Sequence, residues 1–265
     1  MAGAIDFESE FPKSSGTFLS QEQRNQLFEK LKHVVVIVNT EAVIPGGRKV
    51  LRGAGVILDK NGTMLTSEYL VAAKQQTILV RRAVDEVFWE AKVVKSDPKL
   101  DLAVLVPKNN MGRFHFATMD TEEKFNIGKE VISISHSGNF LYTLMIGHLA
   151  CRDHRIFFDV VNSQNEVYPL LLDRDVKLLQ INNFHGFNNA MGAPVFSSSG
   201  KLIGLTTLVW KKFDFAIHLT VLKEFYGAYK KGKGKGKEKE EFTKGKGKEE
   251  FYGSHSKGKG KGKAK

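Results

Sequence analysis

Few residues of this chain combine reactive chemistry with an arrangement that indicates catalysis. The eight histidines show no spacing typical of a metal site. Cys151 is the only cysteine and is interpreted as a small buried hydrophobic residue. Ser197, Ser198 and Ser199 are consecutive, but they fall between two predicted strands, where serines serve local hydrogen bonding. These residues therefore predict no metal, no cofactor and no ordinary nucleophile.

The apolar residues that must position any site predict many short strands. Val34–Val38 is a β-branched run, and Gly53–Leu58 is a second strand. Asp59–Gly62 follows as a turn, because Asn-Gly tolerates positive φ. Further strands are predicted over Thr77–Val80, Val87–Lys95, Leu102–Val106, Val131–Ser135, Tyr142–Cys151, Val176–Ile181, Ala193–Phe196, Lys201–Val209 and Phe213–His218. This pattern favours an all-β barrel or a sandwich pair.

Two helices are predicted, one at each end of the strand-rich region. Ser20 followed by Gln23 is a capping-box pattern, so residues 1–32 are interpreted as a leader and a short helix. Thr220–Tyr229 predicts a closing helix. The folded domain is therefore expected over residues 33–229.

Residues 230–265 form a basic, low-complexity tail. They contain 14 lysines and 5 glutamates, so this segment carries +9 of the formal net charge of +11. Alternating lysine and glycine predict disorder, because they prevent core burial and stable helix formation. Two interpretations stay open: a solvated tail, or electrostatic attachment to nucleic acid, anionic lipid or an acidic protein.

Composition also suggests a compartment. A single cysteine excludes an intrachain disulfide and fits a reducing environment. The first ten residues are acidic and lack a long apolar run, unlike a secretory signal. No stretch approaches the roughly 20 apolar residues of a transmembrane helix. We therefore expect a cytoplasmic or nuclear protein without a membrane span.

Three short segments carry motifs that can be compared with a known active site. Residues 65–71 read Leu-Thr-Ser-Glu-Tyr-Leu-Val, residues 97–105 read Asp-Pro-Lys-Leu-Asp-Leu-Ala-Val-Leu, and residues 189–194 read Asn-Ala-Met-Gly-Ala-Pro. Together they resemble the active site of the Deg/HtrA group of trypsin-like serine proteases. The first resembles the histidine stretch Leu-Thr-Asn-Ala-His-Val-Val of that group, the second its aspartate strand, and the third its nucleophile loop Gly-Asn-Ser-Gly-Gly-Pro.

The resemblance covers roughly residues 33–222 and makes the fold specific. It implies an all-β chain of two packed six-stranded β-barrels of the chymotrypsin type. The barrels are expected at about residues 33–110 and 125–222, with the site in the cleft between them.

The resemblance implies a triad of which only the acid remains. Asp101 matches the aspartate, Tyr69 stands where the histidine base belongs, and Met191 stands where the serine belongs. A thioether has no proton to lose, and a phenol with a pKa of about 10 is a poor base at neutral pH. Asn189 occupies the position of a glycine flanked by the oxyanion donors, and His185 is a candidate for lining the cleft. We expect the Tyr69 hydroxyl to donate a hydrogen bond to Asp101.

The leading hypothesis is a catalytically inactive, Deg/HtrA-like pseudoprotease. It would act as a binding or regulatory module that holds an extended peptide or protein ligand in the cleft by strand addition. One alternative is a serine-type hydrolase with non-standard catalytic residues. Another is a protein whose basic tail binds nucleic acid or an acidic partner.

Overall fold

The structure is a computed structural model that describes residues 18–44, 47–73, 76–137, 140–154, 172–173, 175–184, 191–210 and 213–246. His185, Asn189 and most of the predicted leader lie outside the described residues, as does the tail from residue 247 onward. One compact unit ends at Tyr226 and contains every strand, and a second unit begins at Gly227.

Six antiparallel strands close the first barrel. They are β1 (Val35–Ile44), β2 (Gly47–Ile57), β3 (Met64–Thr66), β4 (Gln76–Arg82), β5 (Trp89–Asp97) and β6 (Leu102–Pro107). Around the barrel their order is β1-β2-β3-β6-β5-β4, and β4 pairs with β1 to close the circle. Val36 and Val38 belong to the core of this barrel. Because side chains alternate along a strand, Ile37 and Asn39 face outward.

The second barrel also consists of six antiparallel strands. They are β7 (Glu130–Ser137), β8 (Phe140–His154), β9 (Leu178–Asn182), β10 (Pro194–Ser197), β11 (Leu202–Trp210) and β12 (Phe213–His218). Their order is β10-β11-β12-β9-β8-β7, again closed. Leu179, Ile181, Val195 and Ala216 lie in its core. The predicted all-β double barrel is confirmed, although several strands differ by a few residues at their ends.

The N-terminal helix, α1 (Gln21–Leu31), begins where the capping pattern predicts. The Ser20 hydroxyl accepts a hydrogen bond from the Gln23 amide at 3.2 Å, and the Gln23 side chain accepts one from the Ser20 amide at 2.8 Å. Arg24 of this helix forms an ion pair of 2.8 Å with the buried Glu130 at the start of β7. The pair attaches α1 to the second barrel.

The C-terminal helix, α2 (Leu219–Lys246), is longer than predicted. The helix extends over residues 230–246 of the segment for which we expected disorder, and residues 247–265 lie outside the described residues. A helix elongates more easily than it nucleates, and this one starts on the buried side chains of Leu219 and Leu222. Beyond residue 229, lysine and glutamate favour the helix, whereas the repeated glycines oppose it.

The beginning of α2 packs against the first barrel although it directly follows β12 of the second. The Lys95 ammonium donates to the Phe225 carbonyl at 3.1 Å, and the Tyr226 hydroxyl donates to Asp59 at 3.2 Å. These bonds stabilise the association of the two barrels. Neither described helix combines the length and hydropathy of a transmembrane segment.

The two barrels meet along what we call the inter-barrel seam, where β1 and β2 contact β7 and β10. The Ala54 amide of β2 donates to the Met191 carbonyl at 2.9 Å, which fixes the loop before β10 against the first barrel. Gly192 has a φ of +74°, and a Cβ on it would overlap the Ala54 carbonyl oxygen. Only glycine satisfies both the backbone conformation and the close approach at this position.

Substituting Gly192 should therefore lower the free energy of unfolding by more than the strain of the positive φ alone. Gly128 has a φ of +82° but open space where an alanine methyl group would lie, so Gly128→Ala is the matched control. We expect Gly128→Ala to lower the free energy of unfolding by about 1 kcal/mol, and Gly192→Ala to lower it by at least about 2 kcal/mol more. Urea denaturation measures both values, and equal losses would contradict the tight packing of the seam.

Candidate functional site

The carboxylate of Asp101 is the polar centre of the site. It lies in the turn between β5 and β6, and only 1% of its surface is exposed. One carboxylate oxygen accepts hydrogen bonds from the Ser67 hydroxyl at 2.7 Å and from the Tyr69 amide at 3.0 Å. The other accepts from the Thr207 hydroxyl at 2.5 Å. Because Thr207 lies on β11, the carboxylate links the two barrels.

Tyr69 contacts Asp101 in a different way from the one predicted. Its backbone N–H is the donor, so the expected hydrogen bond from the hydroxyl to Asp101 is wrong. The reason is local: Ser67 precedes a short 3-10 helix, Glu68–Val71, at whose start the Tyr69 amide points to the carboxylate and the Glu68 amide donates to the Asp101 carbonyl at 3.3 Å. The Tyr69 side chain is half-buried and packs against the core of the first barrel.

The environment of Asp101 raises the pKa of its carboxyl group to about 6. Burial is the largest cause, because it disfavours the charged form. The hydrogen bonds from Thr207, Tyr69 and Ser67 act in the opposite direction and offset part of that effect. The negative charge of Glu68 raises this pKa further, and the donors that lower it are all neutral.

Met191 occupies the predicted nucleophile position but points into a hydrophobic core. It precedes β10 of the second barrel, yet its side chain belongs to the core cluster of the first barrel, which includes Leu70 and Val71. Only 8% of its surface is exposed. The sequence pattern did not predict this packing, because the identity of a residue in a loop does not indicate which core it joins.

Two further residues missed by sequence reasoning are Ser67 and Thr207, both of which are buried and donate to Asp101. Ser67 lies two residues before the predicted base position, inside the segment that resembles the histidine stretch of the family. Thr207 is 106 residues away from Asp101 in the chain. Nothing in the local pattern of β11 distinguishes this threonine from its neighbour Thr206.

The other reactive residues take structural positions. Ser197 is buried at the end of β10, where its hydroxyl donates to Asp120 at 3.3 Å and lies 2.9 Å from the Ser199 hydroxyl. Cys151 is half-buried on β8. Among the described residues no group of histidine, cysteine, aspartate and glutamate side chains is arranged to hold a metal ion.

Comparison with known proteins supports the same fold. A family model described as a trypsin-like peptidase domain matches residues 53–205. The chain is 25% identical over 166 residues to a probable periplasmic serine endoprotease DegP-like of Hahella chejuensis, which covers 60% of this chain and 30% of that protein. It is 27% identical over 156 residues to the serine endoprotease DegS of Haemophilus influenzae, covering 59% and 41%.

A solved structure shares the fold. The crystal structure of Deg5 superimposes with a TM-score of 0.61 at 21% sequence identity, and covers 79% of this chain and 95% of that one. The present chain spans about a third of the length of the DegP-like relatives it matches.

The comparisons correct the expected compartment. Similar proteins of Hahella chejuensis, Pseudomonas fulva and Rickettsia conorii are named as periplasmic endoproteases, so the expectation of a cytoplasmic or nuclear protein is wrong. The inference failed in part because it took the single cysteine as a sign of a reducing compartment. A double barrel with a large apolar core does not depend on disulfides for stability.

The raised pKa of Asp101 predicts a pH-dependent stability difference between the wild type and Asp101→Asn. Folded Asp101 binds a proton more tightly than the unfolded chain, so its protonation stabilises the fold as the pH falls from 7 through 6 towards 3.8. The difference between those pKa values corresponds to about 3 kcal/mol.

The measurement is urea denaturation of both proteins at several pH values from 7 to 4. The free energy of unfolding of the wild type should rise relative to that of Asp101→Asn, which has no ionisable group at this position. The contributions of all other residues cancel in the difference. A difference that does not change with pH would contradict the raised pKa.

Proposed function

Because this chain belongs to the trypsin-like peptidase family and is of the Deg/HtrA type, we propose that it is a catalytically inactive member that binds polypeptide at the inter-barrel seam. The observation that carries the proposal is the burial of Met191. Amide hydrolysis by this family needs a nucleophile, a base and an acid in contact. Here the position matching the nucleophile holds a thioether inside a hydrophobic core.

The position matching the base supports the same conclusion. A phenol, whose reference pKa is about 10, is a poor proton acceptor at neutral pH compared with an imidazole. Loss of either the serine or the histidine from an intact triad lowers kcat by roughly 10⁶. Asp101, the remaining acid, is engaged by Ser67, Thr207 and the Tyr69 amide. Its role is to hold the barrels together.

Binding of an extended peptide is favoured by the edge of β11. The pairing of β10 with β11 ends at Leu205, and the Thr206 carbonyl accepts the last bond from Gly192. Among the described residues, Leu208–Trp210 pair only with β12. Such an edge presents unpaired N–H and C=O groups, and an added strand satisfies them.

The proposal predicts saturable peptide binding without hydrolysis. The purified chain is incubated with unfolded casein and with a fluorophosphonate probe, which labels activated serines. We expect no new casein fragments and no labelling above that of a heat-denatured sample. Fluorescence anisotropy with casein-derived peptides should show binding.

Two outcomes would contradict the proposal. One is labelling at a stoichiometry near one per chain, which would indicate an activated hydroxyl that replaces Met191. The other is cleavage of casein that Asp101→Ala abolishes but a control substitution of the exposed Asp173 does not.

Restoring both missing groups should restore labelling. We expect fluorophosphonate labelling in the double variant Tyr69→His/Met191→Ser and in neither single variant. A serine reacts with the probe only when a histidine accepts its proton, and a histidine alone offers no hydroxyl to label. Met191→Ser should also lower the free energy of unfolding by about 2–4 kcal/mol, since it removes a buried side chain from the first core. Thermal unfolding of all three variants separates loss of folding from lack of reactivity.

A further inference from the structure

Two arginines lie on the face of the first barrel that the second barrel covers. Arg52 on β2 is opposite Asn39 on β1, and Arg81 on β4 is opposite Ile37. Asn39 and Ile37 are two residues apart on β1, so all four side chains share the outward face. Ile37 is fully buried and Asn39 nearly so, because β7 packs against this face. The arginines therefore sit at the inter-barrel seam.

The strand that carries Arg52 also contacts the predicted nucleophile position, through its backbone and its core side. Gly53, the residue after Arg52, lies so close to the Met191 carbonyl that a Cβ would approach its oxygen to 2.5 Å. The next residue, Ala54, donates to the same oxygen. Arg52 is therefore one residue away from the point where the two barrels touch beside Met191.

His136 adds a third nitrogen-bearing side chain from the second barrel. Its ring is fully buried at the end of β7, and Nδ1 accepts a hydrogen bond from the Tyr142 amide at 3.0 Å, so the proton of the neutral ring is on Nε2. Nε2 has no partner within ideal hydrogen-bond geometry, although it is close enough to the Val36 backbone for a weak hydrogen bond. Burial first, and then the charges of Arg81 and Arg52, lower the pKa of His136 to about 3, while the hydrogen bond with the Val36 backbone raises it. The two guanidinium groups are thus close enough to His136 for their positive charges to disfavour protonation of its ring.

The environment of the Arg81 guanidinium differs from that of its neighbour Arg82. Its Nε is buried without a hydrogen-bond partner, and its guanidinium stacks over the ring of Phe88 at 5.1 Å. Among the described residues, no carboxylate forms an ion pair with Arg81. The nearby Asp85 is occupied by Arg82, to which it forms an ion pair of 2.6 Å. A partly buried guanidinium without a counter-charge is unfavourable unless an anion binds.

We propose that the guanidinium group of Arg81, with the charge of Arg52 beside it, forms a carboxylate-binding subsite at the inter-barrel seam. The inference rests on the proposed function, since the carboxylate belongs to the polypeptide that the seam binds. A planar guanidinium group binds a carboxylate through two parallel hydrogen bonds, which suits this ligand better than a point charge. The carboxylate comes either from an acidic side chain or from the C-terminus of the peptide.

Four matched peptides distinguish these sources. Each is an unstructured decapeptide of alanine, serine and valine with an N-terminal tetramethylrhodamine label. The first has a free C-terminal carboxylate, and the second is its amide. The third and fourth are amides with a central Glu or Gln. Fluorescence anisotropy gives the Kd of each for the full-length chain at constant ionic strength.

We expect one of the two carboxylate peptides to bind about tenfold more tightly than its neutral counterpart, as for a hydrogen-bonded ionic group. Arg81→Gln should reduce this ratio to near one, and Arg81→Lys should retain part of it. Arg48 is an exposed arginine on the same strand as Arg52. Arg48→Gln is therefore the control for the loss of one positive charge and should leave the ratio unchanged.

The outcomes separate this inference from the proposed function. If all four peptides bind equally, polypeptide binding stands and the carboxylate subsite is rejected. If none of the peptides binds, the proposed function fails. Thermal unfolding in glutarate and in chloride, at equal ionic strength, then tests whether the carboxylate subsite exists. A ligand that binds the folded state raises Tm, so glutarate should raise Tm in the wild type and not in Arg81→Gln. Equal Tm values in both salts would overturn the subsite as well.

Discussion

The hydrogen bonds to the carboxylate of Asp101 connect the parts of this fold that carry its site. Two donors, Ser67 and the Tyr69 amide, come from the first barrel, and the third, Thr207, comes from the second. A buried carboxylate is unfavourable unless several donors surround it. Asp101 therefore requires the turn after β5, the short helix and β11 to stay together. Removing it would leave three buried donors without an acceptor.

Met191 and Asp101, which we matched to triad positions, both make packing or hydrogen-bond contacts across the boundary between the barrels. Met191 contributes its side chain to the core of the first barrel and its carbonyl to the Ala54 amide of β2. Asp101 contributes hydrogen bonds across the same boundary. Each of the two residues therefore has a stabilising role of its own, which does not depend on the proposed loss of catalysis.

The sequence predicted the architecture well because alternation of apolar residues and turn chemistry are local signals. It also located Asp101 and the capping box at Ser20. It failed where an outcome depends on distant contacts. The donor from Tyr69 is the amide because the short helix directs it, and the length of α2 reflects nucleation on buried Leu219 and Leu222. The arginines at the seam were missed because their proximity arises from pairing across three strands.

The insertion of Met191 into the opposite core also affects how the protein folds. The segment of about residues 108–129 connects the two barrels. The core of the first barrel is complete only when Met191, from the second half of the chain, packs into it. A fragment ending before β7 would contain an open cavity where the thioether belongs. The two halves should therefore behave as one cooperative unit, with assembly of the second barrel completing the first. Met191, at the predicted nucleophile position, thus couples the stability of one barrel to that of the other.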